Sequence, residues 1–176
     1  MEIKTSAFVG EAVSNLLSQE NMMVQQMSHD INVSEQLGSH LKNNRRKMRQ
    51  EDAEATIHMY DNPEYAFDIL FEFSGGFTSP VLRGKGIEHH RLAVEEYAQR
   101  EMLEALERMK QVSLAKPPGS INENERCEIT SLVDELLDAR VFLDNLLIQM
   151  QKEYGISIKK QIQNNIPRWK SKGWLK

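Results

Sequence analysis

Cysteine is nearly absent from this 176-residue chain. Cys127 stands alone, which excludes an internal disulfide and any cysteine-rich zinc site and suggests a reducing cytosol. No apolar run approaches the ~20 residues of a membrane span. The N-terminal MEIKTSAFVGEAVSN has no basic region followed by an apolar stretch, so no secretion signal is expected. Glycine (9) and proline (5) are scarce and clustered, and they are the punctuation from which helix ends can be read. Strand signals are missing, apart from an extended piece near Phe77, and there is neither an internal repeat nor a low-complexity tract.

What remains is charge and helical periodicity. The net charge of −4 is unevenly placed. Lys42, Arg45, Arg46, Lys47 and Arg49 lie in KNNRRKMR with no acid among them. From Lys152 onward, Lys159, Lys160, Arg168, Lys170, Lys172 and Lys176 face Glu153 alone. Such clusters attract phosphates or nucleic acid, but they also occur as solvated helix faces. Nucleic-acid binding through Lys42–Arg49 is the less favoured of the two.

Residues 6–28 carry apolar positions at helical spacing, from Phe8 to the methionines Met22, Met23 and Met27. Asn32 followed by Glu35 resembles a capping box opening a polar helix over about 33–60. Together they predict an N-terminal helical arm over 1–60 that packs fully only against a partner. Pro63 suits a first helical position. Residues 74–86 form one irregular stretch; Arg83 and Lys85 lie in it, but it lacks P-loop spacing. Helices are expected over 87–113 and about 123–153, separated by KPPGS and stopped by Gly155. An amphipathic segment then ends at or before Pro167. The prediction is all-α: a four-helix bundle over 61–170 behind the arm, with a basic tail over 171–176.

The stretch DELLDARVFLDNLL decides the functional reading. Its helix is apolar on most sides, so it is central, yet Glu135 and Asp138 sit one turn apart on a narrow polar stripe. On the preceding helix Glu101, Glu104 and Glu107 step by three, with Glu95 and Glu96 earlier. An ExxE pair and an ExxD pair on antiparallel neighbours converge on a small volume, and dense carboxylate oxygens suit Mg²⁺. The same spacing also describes an ordinary exposed face with i,i+4 pairs such as Glu104 and Arg108. His89 and His90 point about 100° apart and make a poor joint metal site; they suit a surface or a cap. Cys127 reads as a small core residue, and Trp169 as cover for a bundle end.

DELLDARVFLDNLLIQMQKEYGISIKKQIQNNIPRW resembles the closing part of the all-α nucleoside triphosphate pyrophosphohydrolases, the MazG-like family. The matching pieces are Glu135 and Asp138, then Gly155 and Ile156, then Asn165, Arg168 and Trp169. The segment EHHRLAVEEYAQREMLEALERM resembles that family's preceding helix. The resemblance covers residues 87–170. It implies that Glu101, Glu104, Glu135 and Asp138 hold catalytic Mg²⁺, and that Lys160, Asn165 and Arg168 face the phosphates of a nucleoside triphosphate. It also implies a metal-activated water splitting the chain between the α and β phosphates, in a homo-oligomer. The alternative is a non-enzymatic helical interaction protein, an adaptor, assembly factor or regulator, whose first helices dock a protein partner.

Overall fold

Three asparagines, rather than glycine or proline, divide the first third of the chain. Asn21, Asn32 and Asn44 adopt φ of 49, 55 and 53°, the left-handed region that asparagine enters more readily than other residues with a Cβ. Each stands just beyond a helix: α1 (Gly10–Gln19), α2 (Val24–Asp30) and α3 (Glu35–Lys42). The computed structural model describes residues 3–176. The expected helices over 6–28 and 33–60 are therefore each broken. The first is preceded by β1 (Ser6–Ala7), and the second is interrupted by β2 (Met48–Arg49) before α4 (Gln50–Met59). The two strands pair antiparallel, Ser6 with Arg49 and Ala7 with Met48. Ser34, and not Asn32, caps α3, its Oγ accepting from Leu37 N at 3.2 Å.

The rest follows the predicted order. In α5 (Pro63–Ser74), Pro63 is the first helical residue, Asn62 Oδ1 accepts from Tyr65 N, and the left-handed Gly75 closes the helix. Then come α6 (Arg91–Gln111), a 3₁₀ turn at Pro118–Ser120, α7 (Glu123–Tyr154) and α8 (Ile158–Ser171). Gly155, at φ 66°, ends α7 as expected. Pro167 does not end α8; on a helix with no buried residue it costs one intrahelical bond without a clash against packed neighbours. The all-α class is observed, and no helix among the described residues is long and apolar enough to cross a membrane.

The chain divides into two units. The first runs up to Val81 and takes in Gln151–Lys176; the second is Leu82–Met150. This differs from an arm over 1–60. The thin apolar positions of that stretch come from short helices that each turn one face to a common core of Val13, Leu16, Met27, Leu41, Met48, Tyr65 and Ile69. Tyr65, 1% exposed, donates from its hydroxyl to Thr56 Oγ1 at 2.8 Å, and Thr56 donates on to the Ala53 carbonyl. Asn62 Nδ2 ties α5 to the end of α1 through Gln19 and Glu20, both at 2.9 Å. Lys152 and Gln19 both donate to the buried Glu64.

At the end of α4, Tyr60 donates to Asp30 Oδ2 at 2.7 Å. That bond is the largest cause holding the Asp30 carboxyl below its ordinary range. Burial, then the same bond, pushes the Tyr60 hydroxyl up. Because the folded-state pKa of Asp30 lies below the unfolded one, its contribution is complete above the ordinary carboxylate range. It fades as pH falls through the folded-state value. Tyr60→Phe is expected to lower the melting temperature at pH 7, and the gap to wild type should close on acidification. A gap that is the same at pH 7 and pH 2 would show that the bond does not favour the ionised Asp30 carboxylate.

In the second unit α6 and α7 form an antiparallel hairpin. The Gln149 amide donates to the His89 carbonyl, Tyr97 stacks on Phe142 at 5.4 Å, and Arg108 meets Glu128 at 3.0 Å. The lower number rises as the higher falls, which fixes the direction. Ala98, Ala105 and Ala139 are buried, and such small side chains let two helices approach. His90 caps α6, its Nδ1 accepting from Leu92 N at 3.3 Å. Cys127 is exposed in the first turns of α7 and is not a core residue.

Candidate functional site

The α2–α3 segment is held by a tight turn and a close helix contact. Four residues, 31–34, join the two helices. Ile31 and Asn32 return their amides to Met27 and His29, and Val33 N reaches Ser28 O at 2.8 Å. The left-handed Asn32 redirects the chain, and Ser34 starts the next helix. The two helices then touch where neither has bulk. A Cβ added to Gly38 would stand 2.0 Å from Ser28 Oγ and 3.4 Å from Val24 Cγ2. Ser28 has no exposed surface, and its hydroxyl donates back to the Val24 carbonyl at 2.8 Å. Leu41 and Met27, both 0% exposed, anchor the pair in the core.

This packing fixes which side of α3 is left outward. At 100° per residue, Gln36, Ser39 and Asn43 fall within about 60° of one another. Gln36 and Asn43 are exposed and Ser39 is half-buried. Asn43 Nδ2 donates to the Ser39 carbonyl at the end of α3. Beyond it lie Lys42, Arg45 and Arg46, all exposed and without an ion pair among the described residues. Lys47 sits 5.4 Å over the Phe8 ring, and Arg49 is held by Asp52 at 2.8 Å. The first unit has 13 Lys and Arg against 13 Asp and Glu, so it is neutral as a whole. Its positive charge at 42–47 is local. Asn44 keeps that segment in place, its Oδ1 accepting from Gly10 N at 2.7 Å.

Two α-helices joined by a four-residue turn, the second presenting polar side chains and followed by exposed cations, have the connection length and order of a helix-turn-helix. The periodicity of residues 6–60 conceals it. Without glycine or proline at the breaks, two helical patterns on each side of Asn21 and Asn44 run together. The signal available in the sequence was asparagine at each helix end.

The acids predicted from the sequence are partly assembled. Carboxylate oxygens of Glu101, Glu104 and Glu135 lie within 4.8 Å of one another. Asp138 is exposed one turn further and stands outside that group. Glu101 is 8% exposed and already has a cation: Arg100 Nη2 donates to its Oε1 at 2.7 Å while the guanidinium lies 5.0 Å over Tyr97. Arg100 also approaches Glu104 at 3.7 Å. A buried carboxylate needs such a partner whether or not a metal is near. Three carboxylates suit Mg²⁺ in donor chemistry, and Arg100 competes for one of them.

Lys160, Asn165 and Arg168 are placed on α8, in the first unit rather than with the carboxylates. Lys160 and Arg168 are exposed, and Asn165 Nδ2 donates to the Gln161 carbonyl at 2.8 Å. No family model, curated protein or solved structure matches this chain.

Proposed function

We propose that this chain binds double-stranded DNA through the α2–α3 helix-turn-helix, with α3 entering the major groove. The observation that carries the reading is the close crossing of α2 and α3 at Gly38 and Ser28. It supports a rigid presentation of Gln36, Ser39 and Asn43 beside Lys42, Arg45 and Arg46. Amide side chains suit the paired donor and acceptor of adenine in the major groove, and Ser39 accepts or donates to any base. The cations neutralise flanking phosphates and set position rather than sequence. On this reading the chain is a regulator rather than an enzyme, acting by occupying a site. The test is selection of duplexes from a random library by the full chain, followed by anisotropy titrations at 50 and 200 mM salt. An enriched sequence with strongly salt-dependent affinity is expected. No enrichment, or equal binding to single strands, would overturn it.

A second reading, a Mg²⁺-dependent nucleoside triphosphate pyrophosphohydrolase, is favoured by one observation, the approach of Glu101, Glu104 and Glu135. These three would hold the ion, with Asp138, one turn further along α7, as the fourth candidate ligand. The bound ion would supply an activated water for attack on a phosphoanhydride. Incubation with each dNTP and Mg²⁺ should then release pyrophosphate, and Glu135→Gln should lower the rate at least ~10-fold, since even a group that only supports a metal ligand costs ~10- to 100-fold when lost. Absence of turnover together with no Mg²⁺-dependent rise in melting temperature would remove this reading.

A further inference from the structure

The α6–α7 hairpin leaves one side uncovered. Met102 and Met109 from α6, and Leu136, Leu143, Leu147 and Met150 from α7, are each 37–47% exposed. They line a groove of about 580 Å³ whose floor is the buried Ala105 and Ala139. A two-helix hairpin buries one face between its helices, so a second apolar face needs another layer. The sequence pattern called for a four-helix core, and this unit holds two long helices.

We propose that this face is an isologous interface with a second copy of the chain, the two hairpins completing a four-helix bundle. Three observations select a second copy over another partner. The first is area: six large apolar side chains, each 37–47% exposed, form a continuous patch on the scale of the roughly 300–600 Å² that marks an association surface. The second is charge. The second unit carries 9 Lys and Arg against 13 Asp and Glu, so like copies repel over most of it. The groove is an exception, because it offers Arg140 and Asp144, 3.8 Å apart. A two-fold axis crossing α7 near residue 142 would set each copy's Arg140 against the other's Asp144, which suits self-association. The third is symmetry: helix-turn-helix proteins commonly read two half-sites as dimers. Only this third argument rests on the DNA reading; the first two belong to the hairpin alone.

Light scattering on the full chain at tens of micromolar should give twice the chain mass, unchanged in high salt because the contact is apolar. Leu136→Glu with Leu143→Glu should halve that mass with helical content retained. Should that variant unfold, cross-linking decides. Leu143 lies midway along the α7 part of the face, and we place the two-fold axis beside it, α7 against α7. In a Cys127→Ser background, Leu143→Cys should therefore form a disulfide-linked dimer on mild oxidation, whereas Asp134→Cys, on another side of the helix, should not. A wild-type mass of one chain at every concentration, or equal cross-linking at the two positions, overturns the proposal. DNA binding lost through α3 substitutions would leave the mass unchanged, so the two readings fail separately.

Discussion

Gln36→Ala should weaken binding to the selected duplex by about 5- to 150-fold while leaving affinity for unrelated DNA almost unchanged. The range corresponds to the ~1–3 kcal/mol carried by one bidentate side-chain contact to a base. Gln36 is placed for such a contact because it is exposed on α3, and the crossing at Gly38 turns the opposite side of the helix into the core. Its amide is not part of the packing, so truncation should leave the melting temperature within ~1 °C, as surface substitutions do. Arg45→Ala and Arg46→Ala should behave differently. Each should weaken binding to all duplexes alike and reduce the slope of log affinity against log salt by about 0.9, the signature of one lost phosphate contact. If Gln36→Ala weakens specific and unrelated duplexes equally, α3 does not read bases. If the arginine variants keep the full salt slope, residues 42–47 do not lie along the backbone.

Much of the second half of the fold was legible because its boundaries are made of residues with unambiguous backbone preferences. Pro63, KPPGS and Gly155 each end or start a helix where expected. The antiparallel meeting of α6 and α7 was also legible, and with it the approach of Glu101, Glu104 and Glu135, because a short polar break between two long periodic segments forces a hairpin. Asp138 failed to join for a local reason. It projects from α7 about 60° away from Glu135, on a polar stripe that faces water rather than α6. The pairing of Glu101 with its own neighbour Arg100 was not visible in spacing, since adjacent residues on a helix do not ordinarily face each other.

The first half was less legible because its helices are 7 to 10 residues long up to α4, too short for periodicity to declare an end. A left-handed asparagine costs little and leaves the polar pattern unbroken, so α1 with α2, and α3 with α4, look like single long helices. In the sequence the four residues 31–34 show only a helix start, because Asn32 and Ser34 are both capping types. What identifies the motif is tertiary: a glycine in mid-helix, which propensity disfavours by ~1 kcal/mol, placed where another helix crosses.

That glycine gives the largest expected effect on stability. Gly38→Val should destabilise the first unit by about 3 kcal/mol, the upper end of what overpacking a tight contact costs. On thermal unfolding this is roughly 10 °C or more for a unit of this size. The added Cβ alone would sit 2.0 Å from Ser28 Oγ and 3.3 Å from Ser28 Cβ. Rotating the hydroxyl away would break its bond to the Val24 carbonyl and leave it in a site with no exposed surface. The better helix propensity of a residue with a side chain offsets only a fraction of this cost. A compensating pair separates crowding from any other cause. Ser28→Gly should itself destabilise modestly, yet combined with Gly38→Ala it moves the single small side chain from α2 to α3 and should recover most of the stability lost in Gly38→Ala. The coupling measured by that cycle should be at least ~1 kcal/mol, as for residues in direct contact. Wild-type stability in Gly38→Val would mean that α2 and α3 do not cross here, and the outward stripe of Gln36, Ser39 and Asn43 would lose its support. A destabilised Gly38→Val with no recovery in the swapped pair would place the strain elsewhere on α3.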